Sequence, residues 1–205
     1  MNNVYYLQRS ANGIHQISLK TKLLDKRIIY LDSPVDSESV NEIIQQISLL
    51  ATEAPGESIT MLINSPGGSI QDGLVLIDVM RSYDGIVKTV SLGMAASMAA
   101  VILAAGTKGH RYISPHSQVM LHQPLIGGGL AGGNCSEIEG VAKSLLARKK
   151  QIDDMLVDFT ERPRKDILKL TSTDTYLNAQ QAKDNGLIDV IADGKTLFEL
   201  IGGDT

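Results

Sequence analysis

Ser97 and His122 are the residues of this chain whose types and surroundings best suit nucleophilic chemistry. Ser97 lies among small residues (AASMA, 95–99) that follow a β-prone run, TVSL at 89–92, and Gly93. A sharp turn from strand to helix can lift a serine hydroxyl out of a sheet, and small neighbours leave room for the turn and the substrate. A hydroxyl becomes a good nucleophile when a nearby base takes its proton. We therefore expect His122 to be that base.

Both residues also have a simpler interpretation. A serine between a strand and a helix is commonly an N-cap, and a single histidine is commonly part of a core. The motif around Ser97 is Ala-Ser-Met-Ala and not the G-x-S-x-G of many hydrolases. The combination still favours catalysis, because His122 ends a predicted strand over 118–123 and the residues that follow, 125–133, are rich in glycine.

A second glycine-rich segment, NSPGG at 64–68, follows the apolar run at 58–63. A Pro-Gly pair alone is typical of a tight turn. Glycines also let the backbone approach a ligand and present N–H groups to a developing oxyanion. Phosphate binding is a third alternative, but the chain has no G-x-x-x-x-G-K-[ST] motif, and GTKG at 106–109 does not satisfy it.

Alternating strands and helices must position these residues. Continuous apolar runs at 27–31, 58–63 and 86–92 predict buried strands, and apolar residues at helical spacing predict helices after Val35 and over 70–83. Buried strands joined by helices indicate a mostly parallel sheet covered by helices. The expected fold class is therefore α/β.

The two ends of the chain differ from this pattern. The first twenty residues lack a clear period, so we expect an arm or loop there. Residues 136–160 predict a long helix that projects from the domain and packs against another copy. A helix beginning near Pro163, a short helix over 178–185 and a strand over 187–191 complete the prediction.

Size and composition exclude several classes of protein. A chain of 205 residues with 43% hydrophobic and 20% charged residues suits one globular domain, with or without a projecting element. A net charge of −4 argues against a nucleic-acid partner. The single cysteine, Cys135, excludes an internal disulfide and fits a reducing compartment. We see no signal peptide and no run long enough to span a membrane, so we expect a cytoplasmic protein.

The chain resembles the proteolytic subunit of the Clp (caseinolytic) protease from about residue 17 to residue 191. The resemblance rests on motifs in the family's order: INSPGG at 63–68, GMAASM at 93–98, MLHQP at 120–124 and DTYLNAQQAKDNGLID at 174–189. It implies that Ser97 is the nucleophile, His122 the general base and Asp174 the residue that orients the histidine. Asp166 and Asp184 are nearby alternatives to Asp174.

The resemblance also assigns the binding groups. The backbone N–H groups of Gly68 and Met98 match the family's oxyanion hole, and Leu125, Ile126 and Gly127 match the segment that pairs with the substrate backbone. The resemblance implies that this chain holds no metal or organic cofactor. The family's activity depends on ATP, but a partner protein uses that ATP.

The implied architecture is a crotonase-like head with a protruding handle helix at about 136–160. Heptameric rings stack handle to handle as a tetradecamer around a chamber, and N-terminal loops at 1–17 line the axial pores. A hexameric AAA+ ATPase feeds unfolded proteins through these pores. The implied activity is that of an ATP-dependent serine endopeptidase, with residues 18–205 as a single domain.

The chain departs from the family at several positions. Ser172 and Thr173 replace an Asp-Arg pair that bridges the two rings, and Leu62 and Ser82 replace aromatic residues of the ATPase-docking pocket. We hypothesise a divergent paralogue that works best in a mixed assembly with a second, more typical subunit. Two alternatives are a poorly active or regulatory ring subunit and, more remotely, a crotonase-type acyl-CoA enzyme.

Overall fold

The computed structural model describes residues 5–10, 13–125 and 134–202. Near the N-terminus, strands β1 (Tyr5–Ser10) and β2 (Gly13–Ser18) form an antiparallel hairpin. The sequence predicted an arm or loop here and gave no indication of these two strands. None of the side chains described in β1 and β2 is buried, so these strands lack the buried apolar face whose alternation would predict them from the sequence.

A mostly parallel sheet forms the centre of the molecule, as predicted. Its described strands are β3 (Ile28–Leu31), β4 (Ile59–Ser65), β5 (Val87–Ala96), β6 (Arg111–Ile113), β7 (Gln118–Leu121), β8 (Thr175–Asn178) and β9 (Val190–Ile191). The order β3-β4-β5-β6-β9 is parallel throughout. β7 pairs in parallel with the end of β5, and β8 pairs antiparallel with β7.

The described helices cover this sheet. They are α1 (Leu19–Leu24), α2 (Ser37–Glu53), α3 (Ile70–Ser82), α4 (Met98–Ala104), α5 (Cys135–Thr160), α6 (Arg164–Thr171), α7 (Ala179–Asp184) and α8 (Gly194–Leu200). Asp36 is the N-cap of α2, and its carboxylate accepts the Ser39 N–H at 2.9 Å. The sequence did not predict α1, α8, β6 or β8, and the strand predicted at 187–191 is only two residues long.

Alternate side chains of the strands enter two apolar layers. Ile29, Met61 and Ile63 join the main core under α2, α3 and α4. Ile28 and Leu62 face the other side, where they pack with residues of α1 and α8. The sheet is therefore covered on both faces, which explains why its strands are continuously apolar.

Strand β5 changes its pairing partner at Gly93, and this change positions the candidate site. Before it, Thr89–Ser91 pairs with β6; after it, Met94–Ala96 pairs with β7. Gly93 has a φ of +102°, and its N–H donates to Ser117 Oγ at 2.7 Å. The end of β5 is thereby paired with β7, so the residues that follow the two strands lie next to each other.

Helix α5 is the predicted long helix. It spans 26 residues, or about 39 Å at the usual rise. Residues 135–151 contain no buried side chain, whereas Ile152, Leu156 and Phe159 enter the core. The first half of α5 therefore extends away from the head. None of the described helices combines the length and the hydropathy needed to cross a bilayer.

A buried ion pair ties β6 to the chain before β9. The Arg111 side chain is 1% exposed, and its guanidinium donates to both carboxylate oxygens of Asp189 at 2.6 and 2.9 Å. Arg111 also donates to the carbonyl oxygens of Ala104 and Phe159. Burial raises the pKa of Asp189, but the hydrogen bonds and charge of Arg111, with the Gly109 N–H, outweigh it and hold that pKa below its ordinary value.

We predict that Asp189→Asn lowers the free energy of unfolding by about 3 kcal/mol at pH 7, because it leaves the buried Arg111 charge unpaired. A lowered folded-state pKa stabilises the fold above the unfolded pKa of about 4, and this contribution is lost as the pH falls through the folded pKa. The difference between variant and wild type in urea unfolding should therefore shrink below about pH 4.

Asp158→Asn is the matched control. It removes an exposed ion pair with Arg81 and should cost less than about 1 kcal/mol. Equal losses in the two variants, or a loss in Asp189→Asn that is the same at pH 7 and pH 3, would contradict the role given to the buried pair.

Candidate active site

Ser97 is the residue between β5 and α4, and its backbone has an unusual conformation. Its φ is +54° and its ψ is −123°, in a region that residues other than glycine rarely adopt. The Ser97 N–H donates to the Met120 carbonyl oxygen at 2.8 Å, which joins the turn to β7. The Ser97 hydroxyl makes no capping bond to α4, so the N-cap interpretation does not account for it.

The Ser97 hydroxyl instead contacts His122. The distance from Ser97 Oγ to His122 Nε2 is 2.8 Å, an ordinary hydrogen-bond length. His122 directly follows β7, and its side chain is only 16% exposed. The pairing of β5 with β7 therefore brings together two residues that lie 25 positions apart in the sequence.

Asp174 lies on the other side of the imidazole. Its Oδ1 is 3.5 Å from His122 Nδ1, longer than a normal N–H···O bond, and its side chain is 67% exposed. The loop before Asp174 is fixed by a hydrogen bond, because the Gln123 side-chain amide donates to the Ser172 carbonyl oxygen at 2.7 Å. A proton on Nδ1, the nitrogen that faces Asp174, would leave Nε2 free to accept the proton of Ser97.

The two competing aspartates do not reach this histidine. Asp166 is in the first turn of α6. Asp184 ends α7, where it accepts a hydrogen bond from Gln180 at 2.7 Å. Among the described residues, Asp174 is the carboxylate that contacts His122.

The glycine turn at 67–68 packs against the Ser97 turn. A Cβ on Gly67 would collide with the Ala96 carbonyl oxygen and would lie 2.8 Å from the Met98 nitrogen. A Cβ on Gly68 would collide with the Val35 carbonyl oxygen. The φ of Gly67 is +83°, so both the conformation and the close approach require glycine there.

This contact places two backbone donors beside Ser97. Within the described part of the chain, the Gly68 N–H has no hydrogen-bond acceptor. Met98 is the first residue of α4, so its N–H has no intrahelical acceptor, and none of the described carbonyl groups outside the helix accepts it. Free N–H groups next to a nucleophile can stabilise an oxyanion.

A cleft of about 600 Å³ adjoins Ser97 and His122. The glycine turn and the start of α3 line one side, and Met120, Pro124 and Leu125 line the other. Leu125 is 72% exposed. Ile126 and Gly127, the other predicted substrate-binding residues, lie outside the described residues.

The sequence did not predict a role for Gln123 or for two residues that line the cleft, Gln71 and Arg148. Arg148 had a detectable signal, because it interrupts the apolar face of α5 at four residues before Ile152. Gln123 and Gln71 are single polar residues next to turns and have no such signal. In the described ranges, no group of His, Cys, Asp and Glu side chains is arranged to hold a metal ion.

Comparison with known protein families agrees with the motifs. The family model described as Clp protease matches residues 11–195. Because the match extends over most of the chain, this protein belongs to the Clp protease family, and its fold is the crotonase-like α/β fold.

Proposed function

We propose that this member of the Clp protease family is the proteolytic subunit of an ATP-dependent serine endopeptidase that works in the cytoplasm. It would cleave unfolded polypeptides to short peptides inside a double-ring chamber. The observation that carries the proposal is the 2.8 Å contact between Ser97 Oγ and His122 Nε2, at a serine held out of helical geometry.

The proposed reaction begins with proton transfer from Ser97 Oγ to His122 Nε2 as the oxygen attacks a peptide carbonyl carbon. The charge that develops on the carbonyl oxygen is bound by the N–H groups of Gly68 and Met98. His122 then returns the proton to the leaving amine, and water hydrolyses the acyl-enzyme by the same steps. This chemistry requires no metal or organic cofactor, and ATP is used by the AAA+ partner.

Asp174 has the role of orienting His122 and stabilising the imidazolium. The distance of 3.5 Å to Nδ1 suits this role once substrate is bound, because catalytic hydrogen bonds often shorten in the complex. The residues after Pro124, beginning with the exposed Leu125, would pair with an extended substrate backbone by strand addition.

The proposed assembly follows the family: heptameric rings stacked as a tetradecamer and fed by a hexameric AAA+ ATPase through pores lined by residues 1–17. Support comes from exposed apolar residues on the projecting half of α5, namely Ile138, Val141 and Leu146. Exposed apolar residues on one element favour an interface with another subunit.

A mixed assembly is the finer proposal. Ser172 and Thr173 cannot form the ion pair that typical subunits have at these positions, and they directly precede the exposed Asp174. A poorly active or regulatory subunit is the second candidate function, favoured by the same exposure of Asp174. The acyl-CoA alternative has less support, because such an enzyme does not need the Ser97–His122 contact.

We predict that Asp174→Asn lowers kcat/KM for a fluorogenic peptide about a hundredfold or more, because His122 loses the group that selects its tautomer. Asp184→Asn is the matched control and should keep wild-type activity, since Asp184 contacts Gln180 on its own helix. Circular dichroism of both variants should match the wild type. Wild-type activity in Asp174→Asn would remove Asp174 from the proposed triad.

We also predict that this chain alone assembles weakly, and that Ser172→Asp with Thr173→Arg raises the tetradecamer fraction in native mass spectrometry. The paired change restores opposite charges at the ring contact, whereas Ser172→Arg with Thr173→Arg is a control that adds only positive charge. If the wild-type chain alone forms a stable tetradecamer that degrades protein with a standard ATPase, the mixed assembly is wrong.

A further inference from the structure

Arg148 of α5 lines the cleft next to Ser97. Among the described residues that form the cleft, it is the one with a permanent charge, since the others are neutral apart from the titratable His122. Its side chain is half-buried. A guanidinium at this position changes which side chains the cleft can accept.

The position of Arg148 on α5 explains how its side chain reaches the cleft. It lies four and eight residues before Ile152 and Leu156, which are buried on the head side of the helix. Residues at this spacing share a helix face, so the stem of Arg148 is directed at the head. The helix is fixed near this level because Asp153, which is buried, accepts bonds from Lys149 at 2.6 Å and Thr171 at 2.9 Å.

The guanidinium has no acidic partner within the described structure. The guanidinium donates to the Gln71 side-chain oxygen at 3.5 Å, which is at the outer limit of a hydrogen bond. By contrast, the next two residues, Lys149 and Lys150, each pair with an aspartate one turn later. Arginine presents a planar set of donors that matches a carboxylate, and the described part of the chain offers no carboxylate to Arg148 at the cleft.

We infer that Arg148 binds a carboxylate of the polypeptide in the cleft, and that the peptidase therefore prefers an acidic residue on the acyl side of the cleaved bond. This inference rests on the proposed function. The cleft adjoins both Ser97 and the glycine turn, so a residue whose carbonyl carbon lies at Ser97 Oγ has the cleft within reach of its side chain. Glutamate or aspartate there can reach the guanidinium, and so can the carboxylate of a chain terminus.

The activity test uses matched fluorogenic peptides with Glu, Gln, Leu or Lys before the cleaved bond. The assembled wild-type protein should have a kcat/KM about tenfold higher for Glu than for isosteric Gln, as expected for a charged hydrogen bond. Arg148→Leu should abolish this preference and favour Leu, and Arg148→Glu should favour Lys. Arg162→Leu, at an exposed arginine between α5 and α6, is the control and should keep the wild-type order.

A binding test separates this inference from the proposed function. N-acetylated peptide amides ending in Glu or Gln are titrated against Ser97→Ala, with and without Arg148→Leu. About tenfold tighter binding of the Glu amide, lost with Arg148→Leu, supports the inference even if no peptide is cleaved. The Gln peptide is also titrated as the free acid. Its terminal carboxylate is then its only acidic group, so tighter binding than that of the Gln amide shows that a chain terminus is bound as well as a side chain. Equal binding of the Glu and Gln peptides in all forms, or faster cleavage after Leu than after Glu by the wild type, would overturn the inference.

Discussion

The backbone turn at Ser97 is the constraint on which the rest of the site depends. A positive φ at a residue with a side chain costs about 1–2 kcal/mol, so the surroundings must hold it. They do so through the bond from the Ser97 N–H to the Met120 carbonyl oxygen, and through α4, whose residues are all buried. Gly67 closes the other side, because any Cβ there would collide with the Ala96 carbonyl oxygen.

This turn explains how one short segment can supply both the proposed nucleophile and free N–H groups beside it. A serine in the extended conformation usual for an N-cap would direct its hydroxyl at an N–H group in the first turn of α4. In the observed conformation the Ser97 hydroxyl lies against His122, and the Met98 N–H stays free. The chemistry of the site therefore depends on the pairing of β5 with β7 and on the close packing of Gly67 and Gly68. It depends less on the identity of any exposed residue.

The members of the site differ in exposure. Ser97 and His122 follow two paired strands of the central sheet, and Asp174 directly precedes β8, whose Thr175 pairs with Leu121 of β7. The Asp174 side chain is mostly exposed, whereas that of His122 is largely buried. A neighbouring subunit can therefore contact Asp174 directly, which is compatible with the proposed mixed assembly.

The sequence predicted the features that have strong periodicity or recurring motifs. The parallel strands β3, β4 and β5 and the long helix α5 were predicted close to their observed bounds, because burial makes their patterns clear. β6 and β8 are only three and four residues long, and pairing with neighbours far along the chain stabilises them, so no local pattern indicates them. The motifs named Ser97, His122 and Asp174 as candidates, and the structure places their side chains next to one another. The change of pairing partner at Gly93 and the cleft position of Arg148 depend on tertiary contacts, so no local pattern predicts them.

The most direct test of the central claim is the intact mass of the folded protein after exposure to a fluorophosphonate, followed by peptide mapping. An activated Ser97 should give one adduct per chain, located on Ser97, and the adduct should be absent in His122→Ala. His15→Ala, at an exposed histidine of the N-terminal hairpin, should react as the wild type does. A folded protein that forms no adduct, alone or with the partner ring, or one that reacts equally in His122→Ala, would contradict a serine activated by this histidine.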